Sequence, residues 1–122
     1  MKDLFNLNGE IAVVTGALGK LGPIWIDTLL EAGAKVFALD HPSAKKSEAF
    51  KKLQAHYDDR YLQLASSDVT IREDVEGVSK KCLDIFGVPS ILVNNAGIDQ
   101  PPDQPDKGCC LEEIPFEINR QV

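Results

Sequence analysis

Apolar positions along this chain follow two rhythms that take turns. Ile11-Ala12-Val13-Val14 is an unbroken apolar run ending at Thr15-Gly16, the pattern of a strand buried on both faces. Beyond it Leu21, Ile24, Trp25, Thr28, Leu29 and Ala32 fall near helical spacing. They predict a helix with those residues inward and Gly33 as its stop. Pro23 sits in that helix's first turn, where a missing N–H costs least. Lys35-Val36-Phe37-Ala38-Leu39 reads as a second strand, broken by His41-Pro42-Ser43. Ser43 is the predicted N-cap of a helix from about Ala44 to Ala55.

The alternation then repeats. Tyr61-Leu62-Gln63-Leu64 is a short strand and Ser66-Ser67-Asp68-Val69-Thr70 a turn. A helix is predicted from about Ile71 to Phe86, with Val75, Val78, Cys82, Ile85 and Phe86 on one face and Gly87 at its end. Ser90-Ile91-Leu92-Val93-Asn94 is a fourth strand. Ile98 to Cys110 holds three prolines and a glycine in thirteen residues, so it reads as a loop. A further helix is expected to begin at Leu111 and to continue to Val122. Strands and helices in strict turn, joined by short links, mean βαβ units: an α/β fold with a parallel sheet and helices on both faces.

Composition narrows the classes. The chain has 122 residues, enough for one domain with one core. Hydrophobic content of 43% and charged content of 26% are ordinary for a globular protein. A net charge of −6 argues against nucleic acid as a partner, since phosphate backbones need clustered Lys and Arg. The first residues, Met1 to Asn6, carry no apolar run of signal-peptide length, and no later stretch is long enough to span a membrane. A cytoplasmic location is expected. Cys82 falls in a helix and Cys109-Cys110 in the Pro-rich loop, none in a Cys-x-x-Cys pattern, so they read as reduced thiols. His41 and His56 have no companion at metal-ligand spacing, and no metal is expected.

The candidate chemistry lies at the ends of the strands. Gly16, Gly19 and Gly22 occupy the turn between the first strand and its helix. A helix N-terminus offers unpaired N–H groups and a partial positive charge, and a pyrophosphate reaches it only if the turn is tight and free of Cβ atoms. Gly16 is expected to make the turn, Gly19 to admit the phosphates, and Gly22 to let the helix lie on the strand. The spacing is not that of a P-loop, which needs a Gly five residues before Gly19-Lys20 and a Ser or Thr after it. Lys20 is expected to point to water. Asp40 ends the second strand 24 residues beyond Gly16, where a ribose would lie. Its carboxylate suits two ribose hydroxyls and opposes a 2′-phosphate, so NAD is expected in preference to NADP, although Lys45 and Lys46 are near enough in sequence to reach a phosphate.

With these residues in view, the chain resembles the N-terminal half of the short-chain dehydrogenase/reductase family, over nearly all of its length. Thr15-Gly16 through Leu21-Gly22 is similar to the family's glycine motif. The commonest subgroup reads Thr-Gly-x-x-x-Gly-x-Gly; here Lys20 stands at the middle glycine and Gly19 precedes it, a spacing the family also uses. Asp68-Val69 resembles the adenine-contacting pair, the Asp68 side chain near the exocyclic amine and the Val69 backbone near the ring. Asn94-Asn95-Ala96-Gly97 matches the tetrapeptide that steadies the central sheet and borders the cofactor ribose.

The resemblance implies a Rossmann-type doubly wound sheet of about four strands in the order 3-2-1-4. It implies Thr15, Gly16, Gly19, Leu21, Gly22, Asp40, Asp68, Val69, Asn94, Ala96 and Gly97 as cofactor-binding positions. It also implies catalysis by a Ser, a Tyr-x-x-x-Lys and a relay Asn. None of these falls on the chain: Tyr57 is followed at the fourth place by Tyr61, and Tyr61 by Ala65. Asn119 sits in a segment similar to that just upstream of the relay Asn and is not assigned to it. Residues 1–122 therefore read as a cofactor-binding half-domain without its catalytic half.

Three readings follow. The first is an NAD-dependent dehydrogenase or reductase of an alcohol or carbonyl, represented by its cofactor-binding half. The second is a non-catalytic dinucleotide-binding module, complete as written. The third is a gene remnant that yields no protein. Beyond the cofactor and a small-molecule substrate, self-association is left open as a partner interaction. Ile91-Leu92-Val93 would form an open apolar edge, and marginal stability or aggregation is expected of the isolated 122 residues.

Overall fold

Strands and helices alternate through residues 2–97, the part of the chain that the computed structural model describes. A short 3-10 turn, Lys2–Phe5, leads into β1 (Ile11–Thr15), α1 (Gly22–Glu31), β2 (Lys35–Asp40), α2 (Glu48–His56), β3 (Leu62–Ser66), α3 (Arg72–Ile85) and β4 (Ile91–Val93). The loop expected at Ile98 to Cys110, with Cys109-Cys110, and the helix expected from Leu111 lie outside the described residues. So does Asn119.

The four strands form one sheet in the order β3-β2-β1-β4, all pairs parallel. This is the doubly wound order expected from the sequence. Side chains alternate across it. Ala12, Val14, Val36, Ala38 and Leu62 face Ile26 and Leu30 of α1 and Phe50 and Leu53 of α2. Phe37 and Leu39 face Val78 and Cys82 of α3, with Ile11, Val13, Ala65 and Phe86 packed around them. Phe37 meets Phe86 edge to face, centroids 6.2 Å apart. Phe37 and Phe50, both fully buried, each contribute about 1.5–3 kcal/mol by leaving water. One strand feeding two cores explains why these segments read as unbroken apolar runs.

Register matters more than the core for function. Thr15 pairs with Leu39 and Asp40 with Ser66, so β1, β2 and β3 finish at one level. Whatever follows them emerges along a single edge. Between β1 and β4 the order reverses, and such a reversal opens a crevice at the carboxyl ends of the strands.

Three expectations needed correction. In α1 the buried residues are Gly22, Pro23, Ile26 and Leu30, whereas Leu21, Ile24, Trp25 and Thr28 are exposed. Gly22 lies so close to the backbone of the glycine turn that only a residue without a side chain fits, and it shares a helix face with Ile26 and Leu30. In α2 the N-cap is Ser47, whose hydroxyl accepts the N–H of Phe50 at 3.2 Å, not Ser43. Ala44, Lys45 and Lys46 are all exposed, so a helix begun there has no buried face to hold it. In α3, Val78 and Cys82 are buried as expected, but Val75 and Ile85 are exposed. Strand ends shift slightly, β3 running on to Ser66 and β4 keeping only Ile91–Val93. Among the described residues β4 pairs with β1 alone, and Leu92 is 66% exposed.

Candidate functional site

Thr15 is the joint of the crevice. It is buried, and its hydroxyl accepts the N–H groups of Asn95 at 3.0 Å and Ala96 at 2.9 Å. The same hydroxyl lies 3.5 Å from the Asn94 side-chain oxygen, to which it donates. Asn95 returns the link by donating its side-chain amide to the Gly16 carbonyl at 3.2 Å. The glycine turn after β1 and the Asn94-to-Gly97 segment after β4 are thereby tied together across the reversal. The sequence pattern did not single out Asn95 as a site residue, although it belongs to the tetrapeptide that was singled out.

The glycine turn is shaped by close approach. Gly16 has φ +66°, and an added Cβ would stand 3.0 Å from the Ala96 Cα. A Cβ on Gly22 would come within 2.5 Å of the Gly16 carbonyl oxygen and 2.6 Å of that of Ala17. Both contacts are to backbone, which has little freedom to move aside. Gly19 is exposed, donates its N–H to the Gly16 carbonyl at 3.2 Å, and completes the turn. An added Cβ at Gly97 would meet nothing within 4 Å.

What the turn presents is the start of α1. Leu21 occupies the N-cap position with no side-chain cap. Among the described residues the N–H groups of Lys20, Leu21 and Gly22 find no acceptor. Three free donors at an uncapped helix start, reached past glycines, suit an anionic group such as a pyrophosphate. Leu21 itself is exposed over this opening.

Asp40 closes one side. One carboxylate oxygen accepts the N–H of Leu18 at 2.7 Å and the other that of His41 at 2.7 Å, while the Leu39 carbonyl accepts the N–H of Ala17 at 3.0 Å. The end of β2 is thus stapled to the glycine turn. A carboxylate accepts about four hydrogen bonds, so about two places on Asp40 remain for a ligand.

Asp68 follows β3 on the same edge. Its Oδ1 accepts the Thr70 hydroxyl at 2.6 Å and the Thr70 N–H at 2.9 Å, and its Oδ2 lies 3.4 Å from His41 Nε2. The Thr70 hydroxyl, then the Thr70 N–H, hold this carboxyl below the usual range, with His41 adding to the effect. Val69 is half exposed beside it. Ser67, one residue earlier, is buried with a hydroxyl that finds no partner among the described residues. The sequence pattern did not reveal His41, Ser67 and Thr70 as members of this corner.

Among the described residues no group of three His, Cys, Asp or Glu is placed to hold a metal, and no helix is long and apolar enough to cross a membrane. Cys82 is buried away from the crevice on the α3 face, and burial pushes its thiol up.

The fold coincides with a known pattern. Residues 10–119 match the family described as short chain dehydrogenase. The chain belongs to that family. It is 39% identical over 92 residues to 3beta-hydroxysteroid dehydrogenase 2 of Eggerthella lenta, covering 75% of this chain and 35% of that protein. It is 32% identical over 94 residues to the bovine (Bos taurus) 15-hydroxyprostaglandin dehydrogenase (NAD+), covering 77% and 35%. With the cis-2,3-dihydrobiphenyl-2,3-diol dehydrogenase of Pseudomonas sp. it shares 33% identity, covering 93% and 41%. A solved short-chain dehydrogenase structure from Novosphingobium aromaticivorans superposes with a TM-score of 0.72 at 28% identity, over 92% of this chain and 38% of that one. The chain thus spans little more than a third of the length of the curated relatives it matches.

Proposed function

We propose that the chain is the cofactor-binding portion of an NAD-dependent oxidoreductase that interconverts an alcohol and its carbonyl. The observation that carries the reading is the Asp40 carboxylate, held 2.7 Å from the Leu18 N–H at the border of the glycine turn. A carboxylate there accepts ribose hydroxyls. It opposes a 2′-phosphate by about 4 kcal/mol per pair of unit charges at 4 Å and an effective dielectric of 20. The relatives' names support the same reading: they specify hydroxysteroid, hydroxyprostaglandin and diol substrates, and one specifies NAD+.

In this reading each residue has a limited task. Lys20, Leu21 and Gly22 donate backbone N–H groups to the pyrophosphate. Gly16, Gly19 and Gly22 keep the approach open. Asp40 holds the adenosine ribose, Asp68 and Val69 the adenine, and Asn94, Ala96 and Gly97 border the second ribose. Thr15 keeps the two sides of the crevice in register. When bound, the dinucleotide supplies a hydride acceptor or donor. The Ser and Tyr-x-x-x-Lys that the family resemblance implies for proton transfer match no position of this sequence, and residues 1–122 supply the cofactor-binding part of the reading. A cytoplasmic setting completes the reading.

Titrating NADH and NADPH against the protein and its Asp40→Ala variant tests it. Binding is read from the fluorescence of Trp25, the single tryptophan, three residues beyond Gly22. The expected result is a wild-type preference for NADH that Asp40→Ala largely removes, each lost hydrogen bond to a charge being worth about 1.5–3 kcal/mol. Equal affinity of the wild type for both cofactors overturns the NAD assignment.

A further inference from the structure

His41 is one of the residues of this corner that the family pattern does not account for. It follows Asp40 directly, and its ring spans from the end of β2 to the turn after β3. Nδ1 accepts the N–H of Ser43 at 3.1 Å and lies 2.7 Å from the Ser43 hydroxyl. A backbone N–H only donates, so Nδ1 carries a lone pair. In the neutral ring the proton therefore sits on Nε2. Nε2 is the nitrogen 3.4 Å from Asp68 Oδ2. The Ser43 N–H thus holds the ring with its Nε2 side toward Asp68 Oδ2.

The two oxygens of Asp68 then have different duties. Oδ1 is taken up by the hydroxyl and N–H of Thr70. The Asp68 N–H donates to Asp74 Oδ2 at 3.1 Å, which fixes the backbone beneath it. Among the described residues Oδ2 is approached by His41 at 3.4 Å, and a carboxylate oxygen accepts about two hydrogen bonds, so a place remains for a ligand donor. Oδ2 is thus the oxygen open to a ligand amine, and His41 sets where it points.

We propose that His41 is a positioning residue that aims Asp68 Oδ2 at the exocyclic amine of the cofactor's adenine and so sets selectivity for adenine over a base lacking that amine. The inference rests on the adenine role proposed for Asp68. Hypoxanthine is the informative comparison, because it carries a carbonyl oxygen where adenine carries the amine and turns an attraction into a repulsion at Oδ2.

The test measures dissociation constants of NADH and of its hypoxanthine analogue for the wild type and for His41→Ala, His41→Phe, His41→Gln, Asp68→Ala and Asp68→Asn. The wild type is expected to prefer NADH by about tenfold or more, the scale of one hydrogen bond to a charged acceptor. His41→Ala and His41→Phe, which keeps the ring but lacks the donor, reduce the preference to about twofold, mainly by weakening NADH, which loses one aligned bond of that kind. His41→Gln, with an amide N–H near the place of Nε2, retains most of it. A full preference in His41→Ala together with its loss in both Asp68 variants overturns the role of His41 and leaves the adenine reading standing. A full preference in both Asp68 variants overturns the adenine reading, and the inference falls with it.

Discussion

Gly22→Ala is the substitution with the largest consequence for its size. The new methyl carbon would stand 2.5 Å from the Gly16 carbonyl oxygen, 2.6 Å from the Ala17 oxygen and 2.7 Å from the Ala17 carbonyl carbon. All three are backbone atoms of the glycine turn, so relief requires the start of α1 to move away from the turn or the turn to open. Forcing atoms into a packed contact costs about 1–3 kcal/mol and sometimes more. Alanine's better helix propensity offsets at most about 1 kcal/mol of it. Gly77→Ala is the matched control: it makes the same change inside α3, where an added Cβ meets nothing within 4 Å. It should stabilise by roughly 0.5–1 kcal/mol. Urea unfolding followed by far-ultraviolet circular dichroism separates the two. Gly22→Ala is expected to lose about 1–3 kcal/mol and to weaken NADH more than tenfold, while Gly77→Ala gains stability and binds normally. Equal effects at the two glycines, or a Gly22→Ala variant as stable as the wild type, refute the close-approach argument.

Other outcomes follow from single contacts. Thr15→Val leaves the N–H groups of Asn95 and Ala96 without their acceptor; at about 1–3 kcal/mol per stranded donor it should lower the thermal midpoint clearly, whereas Thr15→Ser should restore most of it. Ser67→Ala removes a buried hydroxyl that has no partner among the described residues and should be neutral or stabilising by up to about 1 kcal/mol; a loss above that in a denaturant titration refutes the assignment. Acid sensitivity has a defined sign. The Asp68 carboxyl is held below its ordinary value chiefly by Thr70, so its contribution is present above about pH 4, the unfolded carboxylate value, and is lost as pH falls through the lower folded value. Asp68→Asn should therefore flatten the acid limb of a thermal-midpoint profile, and an unchanged limb counts against the Thr70 clasp.

The strands were legible because parallel strands buried on both faces announce themselves as apolar runs; their order, and with it the crevice, came from the family resemblance. Ile11 to Val14 and Val36 to Leu39 carry that signal. Helix faces were less legible. Apolarity alone turns Ile24 and Trp25 inward, yet both are exposed; the buried face runs through Gly22, Ile26 and Leu30, and a hydrophobic pattern counts Gly22 as neutral. The start of α2 was misplaced for a related reason: both Ser43 and Ser47 suit an N-cap, and only the need to bury Phe50 and Leu53 decides between them. Ser43 instead binds the His41 ring.

Gly16 and Asp40 were found by spacing and Thr15, Asp68 and Asn94 through the family resemblance, and all five lie at the carboxyl ends of the strands. The contact of His41 with Asp68 was not legible. It depends on the pairing of Asp40 with Ser66, which brings two strand ends together that the sequence separates by more than twenty residues.

The most direct test of a dinucleotide site at the ends of these strands is an amide nitrogen–proton correlation spectrum recorded while NAD is added. The account predicts saturable shifts at Lys20, Leu21 and Gly22, whose N–H groups lack acceptors among the described residues, accompanied by shifts at Asp40, Asp68 to Val69 and Asn94 to Ala96, with α2 quiet. Shifts confined to other surfaces, or a spectrum unmoved by millimolar NAD on a folded protein, would contradict it.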